Sequence, residues 1–230
     1  MLTSSKNPSG NFSTYRAAII GCGRIGCGFD DDPKRKIVST HAGAYARSSR
    51  VDLVALADLD PSLLQRYGDK FQVSQRYADY RQMLQETKPD LLSICTPNEM
   101  HSEIVGQAVK AGVRGIFCEK PIAESLQSAD RMIAECKEAG CFLQIDHQRR
   151  FDPVHQKIRE FLQEGCLGRV QQVTCYYTAG TANTGSHMID LIRFLFGDID
   201  CVQGWMSPNP SPNEKDPNID GWLQTKAGFP

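Results

Sequence analysis

The sequence predicts an α/β protein, with a doubly wound parallel sheet in its first part and a smaller α/β region after it. Two observations predict this. Short apolar runs alternate with amphipathic helical stretches from Tyr15 to about Asp146. The first run also leads straight into a Gly-x-Gly-x-x-Gly turn, Gly21-Cys22-Gly23-Arg24-Ile25-Gly26.

The predicted strands are Arg16–Gly21, Val51–Asp58, Asp90–Cys95, Gly115–Cys118 and Cys141–Ile145. They lack the in/out alternation of a half-wet strand. They therefore read as strands buried on both faces, with helices covering both sides of a parallel sheet. The predicted helices are His41–Ser48, Ser62–Tyr67, Asp79–Thr87, His101–Ala111 and Ser125–Ala139. In the last, Leu126, Ala129, Met132, Ile133 and Cys136 repeat at helical spacing, and Gly140 follows as a stop. This β-α alternation is the pattern of a doubly wound domain.

The pattern changes after Phe151. A helix is predicted from Pro153 to Glu164 and a strand over Arg169–Thr178. A second helix, Ser186–Phe196, carries Met188, Leu191, Ile192, Leu195 and Phe196 on one face. Cys201–Met206 and Gly221–Lys226 read as strands joined by a Pro/Asn-rich loop. This region offers too few elements to cover its own sheet. It reads as a shortened domain, or as one whose edge a partner covers. Residues 1–14 read as a frayed polar tail, 15–147 as a dinucleotide-binding domain and 148–230 as a substrate and oligomerisation domain.

Composition excludes several classes. Of 230 residues, 40% are hydrophobic, which suits a packed core. A formal charge of −1 with interspersed signs offers no stripe for nucleic acid. No apolar run approaches the roughly 20 residues of a membrane span. The N-terminus lacks the apolar stretch of a signal peptide. The nine cysteines are scattered, without zinc-ligand spacing, so no metal site is expected. They read as reduced thiols of a cytoplasmic protein.

In the glycine turn, Gly21 permits the tight bend, Gly23 leaves room for a pyrophosphate, and Gly26 lets the following helix pack close to the sheet. Backbone N–H groups at a helix start would face the phosphates. Cys22, Arg24 and Ile25 complete the cradle. The second strand ends at Asp58, whose carboxylate would accept hydrogen bonds from an adenine-ribose 2′-hydroxyl and repel a 2′-phosphate. NAD is therefore expected over NADP. Asp58 lies 32 residues after Gly26, against about 20 in the usual motif. The excess matches an inserted polar loop, Phe29–Val38, whose charges are expected to face solvent.

The fourth run ends in Cys118-Glu119-Lys120-Pro121. Pro121 holds Lys120 extended and suits the first turn of a helix. Lys120 would stand at the carboxyl end of a central strand, where ligands bind in open α/β sheets. From position alone it is either a surface charge or a catalytic group.

Taken together, GCGRIG, ADLDP, SICTPNEMHSEIV, CEKP, QRRFDP and GSHMIDLIRFLFGD make the chain resemble the Gfo/Idh/MocA oxidoreductases, from Tyr15 to about Asp198. The resemblance implies a Rossmann domain followed by an α/β domain with a large open, mainly antiparallel sheet that forms a homo-oligomer interface. It implies that Thr96, Pro97, Asn98 and His101 line the cofactor crevice, with Glu119 and Lys120 near the nicotinamide ribose. It implies that Lys120 and His187 flank the substrate hydroxyl. Many members carry an aspartate four residues before this histidine, and here that position is Asn183. An amide can orient an imidazole but cannot stabilise its charged form.

The implied reaction moves a hydride between the nicotinamide and a secondary alcohol of a sugar, sugar derivative or cyclitol. His187 has a suitable ordinary pKa of about 6.5. A lysine starts near ~10.4 and needs burial or a positive neighbour to approach ~7–8. Arg150, Asn183 and Asp190 are the candidate substrate contacts. Asp190 shares a helical face with His187 and could orient it. Two alternatives stand beside this reading: an NAD-dependent glycosidase of the same family, and a non-catalytic dinucleotide-binding regulator.

Overall fold

The computed structural model describes residues 14–226. The expected tail, apart from Thr14, lies outside them. The chain divides into two compact units, Met1–Asp146 and His147–Pro230.

In the first unit six parallel strands run in the order β3-β2-β1-β4-β5-β6. They are β1 Tyr15–Ile20, β2 Val51–Ala57, β3 Gln75–Tyr77, β4 Leu91–Ile94, β5 Gly115–Cys118 and β6 Phe142–Ile145. This is the doubly wound order, with its reversal between β1 and β4. Five helices alternate with the strands: α1 His41–Arg47, α2 Pro61–Lys70, α3 Tyr80–Thr87, α4 His101–Lys110 and α5 Leu126–Glu138. Asp60, Asp79 and Ser125 cap α2, α3 and α5 by accepting from backbone N–H groups.

Burial on both sheet faces follows from side-chain alternation. On β1, Ala18 and Ile20 join a core with Leu84, Leu92, Ile94, Ile104 and Met132. Ile19 joins a second core with Leu56, Leu64, Tyr67 and Val73. The short polar edge strand β3 is not among the predicted strands. Pro121 is not in a first helical turn, because α5 begins only at Leu126; the Lys120–Pro121 bond is cis. Nor is the apolar stripe of α5 wholly buried. Ala129, Met132 and Cys136 face the core, while Leu126 is 85% and Ile133 51% exposed.

The second unit holds α6 Pro153–Gln163, α7 Ser186–Phe196 and an antiparallel pair, β7 Ile199–Met206 and β8 Ile219–Thr225. Residues 169–178 do not form the expected strand. Their β-rich composition is present, but the sheet of this unit consists of β7 and β8 alone. Its main anchor is Tyr177, whose hydroxyl donates to the Ile219 carbonyl at 2.7 Å and accepts from the Ile219 N–H at 2.9 Å. A cavity of about 960 Å³ lies between this segment, α7 and the hairpin. On α7 the predicted apolar face is only half-buried, and its one buried residue is Asp190.

Met132→Ala is expected to cost roughly 2–5 kcal/mol of stability, whereas Leu126→Ala on the same helix stays within about 0.5 kcal/mol. Urea unfolding of the two variants checks which face of α5 meets the core.

Candidate active site

Strand register builds the site. Ile20 pairs with Ala57 and with Ile94, Ile94 with Cys118, and Cys118 with Ile145. The strands therefore end in one row. The next residue of each, Gly21, Asp58, Cys95, Glu119 and Asp146, stands along the sheet's carboxyl edge.

At the reversal point the backbones nearly touch. Gly21 has φ +93°, and a Cβ there would lie 2.6 Å from the Cys95 carbonyl oxygen. A Cβ on Gly26 would meet the Gly21 carbonyl oxygen at 2.0 Å. Gly23 has open space above it. Two of the glycines are thus required by packing, and the third leaves a clear cradle. The turn continues as one π-helical turn, Arg24–Gly28, and not as the start of α1. Asp58 closes the cradle's other side: its Oδ2 accepts from Cys22 N–H at 2.6 Å and its Oδ1 from Asp60 N–H at 2.9 Å. Burial and a hydrogen bond between the Cys22 and Cys27 side chains hold the Cys22 thiol protonated. All nine cysteines are free.

The loop after β4 carries Thr96, Pro97 and Asn98. His101 is fully buried behind it, with Nε2 3.0 Å from the Thr96 carbonyl oxygen and Nδ1 3.0 Å from that of Pro121. The expected crevice residue is therefore a brace between two loops. The Thr96 hydroxyl is buried and finds no hydrogen-bond partner among the described residues. An open cradle over Gly23, a carboxylate beside it and an unanswered hydroxyl at the next strand end together fit a dinucleotide.

The expectation that the charges of Phe29–Val38 merely face solvent is corrected. Asp30 accepts from Ser39 N–H and from the Thr40 hydroxyl, and Thr40 in turn caps α1 by accepting from Gly43 N–H. Asp31 gathers Arg66, Lys70 and Tyr67 from α2. The loop thereby fixes the start of α1, and His41 on it reaches Glu119 at 3.2 Å and Asp146 at 3.7 Å. The sequence reading missed His41 and Asp146. The available signal was the common strand-end position shared by Glu119 and Asp146.

In the second unit, Asp190 is held by Arg150 through three contacts of 2.7–2.9 Å, with His147 3.7 Å away. The Arg150 guanidinium thus serves first to neutralise a buried carboxylate. Asn183 and His187 bracket the turn into α7. The backbone N–H groups of Ala182 and Asn183 donate to Asp216, which anchors that turn.

Gly26→Ala is expected to destabilise the fold by about 1–3 kcal/mol or more, because its Cβ meets backbone. Gly23→Ala should leave the melting temperature unchanged, so any loss of dinucleotide affinity in it reports contact over that glycine. Thermal unfolding with dinucleotide titration separates the two.

The profile described as "Oxidoreductase family, NAD-binding Rossmann fold" (GFO_IDH_MocA) matches residues 15–147. D-apiose dehydrogenase of Paraburkholderia graminis is 31% identical over 202 residues, covering 80% of this chain and 50% of that protein. Myo-inositol 2-dehydrogenase of Thermotoga maritima is 30% identical over 154 residues, covering 67% of this chain and 42% of that protein. The crystal structure of myo-inositol 2-dehydrogenase from Lactobacillus plantarum superposes with a TM-score of 0.78 at 24% identity, over 94% of this chain and 68% of that one, a likeness of fold. This chain therefore spans about half or less of these two curated relatives. With its doubly wound sheet, glycine cradle and Glu-Lys-Pro turn, the chain belongs to the Gfo/Idh/MocA family of oxidoreductases, whose matched part is an NAD-binding Rossmann fold.

Proposed function

We propose that the chain is part of an NAD-dependent dehydrogenase that oxidises a secondary alcohol of a sugar, sugar derivative or cyclitol, or reduces the corresponding ketone. The observation that carries this is the strand-end row. One edge holds a glycine cradle, a carboxylate beside it, and a Glu-Lys pair two strands away. Bound NAD would supply the hydride acceptor. The remaining work is done by the chain. Gly21, Gly23 and Gly26, with Cys22, Arg24 and Ile25, cradle the diphosphate. Asp58 accepts from the adenine-ribose hydroxyls and favours NAD over NADP. Thr96, Pro97, Asn98 and Glu119 line the nicotinamide end, with His101 bracing them. Lys120 takes the proton of the substrate hydroxyl.

From the second unit, His187 and Asn183 are proposed as contacts to the substrate hydroxyls, with Arg150 and Asp190 paired to each other. Asn183 cannot stabilise a charged His187 as a carboxylate would, which favours Lys120 as the main base. The named relatives are dehydrogenases acting on a sugar and a cyclitol, which favours this reading over a glycosidase or a non-catalytic regulator. Among the described residues no helix is long and apolar enough to cross a membrane. Nine free thiols favour a reducing compartment, and a cytoplasmic location is proposed on that ground. Exposed Val202, Trp205, Met206 and Trp222 on the hairpin favour assembly of like subunits through that sheet.

Lys120→Ala is expected to lower turnover on a sugar and cyclitol panel by about 100-fold or more, with NAD affinity changed less than about threefold. NADH formation and calorimetric NAD binding are the measurements. Full activity in this variant would remove Lys120 from its role.

A further inference from the structure

A buried chain of polar side chains runs up to Glu119 and has no part in the roles above. Tyr45 Oη lies 2.7 Å from Ser93 Oγ, and Ser93 Oγ lies 2.8 Å from His41 Nδ1. His41 Nε2 then faces Glu119 Oε1 at 3.2 Å, and Glu119 Oε2 accepts from Lys120 N–H at 3.3 Å. The side chains of His41, Glu119 and Asp146 are only 3%, 11% and 12% exposed. Asp146 adjoins Glu119 because β5 and β6 end in register.

With a neutral His41, hydrogens fit this chain in one direction. A neutral His41 meets a carboxylate with an N–H only if Nε2 carries the hydrogen, which makes Nδ1 the acceptor. Ser93 then donates to Nδ1 and Tyr45 donates to Ser93. Two adjoining buried carboxylates cannot both ionise cheaply, so one keeps a proton. Burial first, and the Glu119 charge second, push Asp146 up to about 6. Burial opposes the Glu119 charge, but the hydrogen bonds it accepts, from His41 first and then from Asp146 and the Lys120 N–H, hold Glu119 below its ordinary value. While it keeps its proton, Asp146 donates to an ionised Glu119, which then accepts from three sides.

We propose that His41 and Asp146 are positioning residues, which clamp Glu119 between them so that, while Asp146 keeps its proton, a single negative charge stands beside Lys120. The groups facing Asp146 are His41 from α1, Cys95 beyond β4, and Glu119 and Lys120 beyond β5. When Asp146 ionises, a second negative charge holds Lys120 protonated and makes it a poorer base. The clamp also gives the inserted loop a purpose, since Asp30 and Thr40 fix the helix start from which His41 reaches in. The inference rests on the dehydrogenase reading only for what Lys120 does to substrate.

The test needs no substrate. Lys120 acetylation by acetic anhydride, followed by mass spectrometry across pH 5–9, reads the free-amine fraction of that residue. Asp146→Asn keeps a donor toward Glu119 but cannot ionise. It should raise Lys120 labelling roughly tenfold above pH 6 and leave it unchanged below pH 5. His41→Gln keeps an N–H toward Glu119 and should retain the wild-type profile, whereas His41→Ala should lose it.

Stability supplies a second readout. Asp146 binds its proton more tightly folded than unfolded, so its favourable contribution is full below about pH 4 and is lost as pH rises through about 6. Asp146→Asn should therefore melt higher than wild type at pH 8 and equally at pH 4. Identical labelling profiles in wild type and Asp146→Asn would overturn the proposal. So would elemental analysis finding one divalent metal ion per chain that His41→Gln abolishes, because His41, Glu119 and Asp146 offer atoms within 4.8 Å of one another. Labelling as proposed without any alcohol oxidation would leave the clamp standing and remove only the dehydrogenase reading.

Discussion

Alignment of parallel strands at their carboxyl ends is the constraint on which the first unit's chemistry depends. Evenly spaced ladders about 4.8 Å apart hold neighbouring strand ends at fixed separations. Because Ile20, Ala57, Ile94, Cys118 and Ile145 lie level, the chain must leave the sheet at five adjacent points. What occupies those points decides what the edge can do. A slip of one residue in β6 would turn Asp146 to the other face and leave Glu119 without its acid neighbour.

The same alignment explains why the glycine turn tolerates so little. At the reversal point β1 and β4 diverge to opposite sides, and Gly21 passes the Cys95 carbonyl at a distance that excludes any side chain. Of the three glycines of the turn, Gly23 alone has open space where a side chain would stand. Close packing and ligand space are thus made by neighbouring glycines for opposite reasons. The buried thiols nearby, Cys22, Cys95 and Cys118, are driven by burial away from ionisation, Cys22 also by its Cys27 hydrogen bond, and act as small apolar fillers.

Much of this was legible in the sequence because it is local. Both-face burial, the glycine spacing and a lysine before proline are each contained in a few consecutive residues. Five strands and five helices of the first unit could be placed to within a few residues for the same reason. What the sequence concealed depends on partners far along the chain. β3 is three residues of polar edge with no pattern to detect. Residues 169–178 have the composition of a strand, but composition alone does not fix which backbone a segment pairs with, and here they join neither β7 nor β8. On α7, Asp190 is more buried than the apolar residues around it because Arg150, forty positions earlier, neutralises it.

The inserted loop is the sharpest case of information held in space. Read along the chain, Phe29–Val38 is a run of charges that only lengthens the path from the glycine turn to Asp58. In the fold its two aspartates do different work. Asp31 ties the loop to α2, and Asp30 holds Ser39 and Thr40 so that α1 begins at His41 with its ring toward the sheet edge. The π-helical turn around Gly26 makes this possible, since it ends the first helical segment early and lets α1 start afresh further on. Had the glycine turn opened directly into a continuous helix, His41 would lie several turns further along it, out of reach of Glu119. An insertion in a surface loop thus sets which side chain stands behind the Glu-Lys pair, although it shares no sequence neighbourhood with that pair.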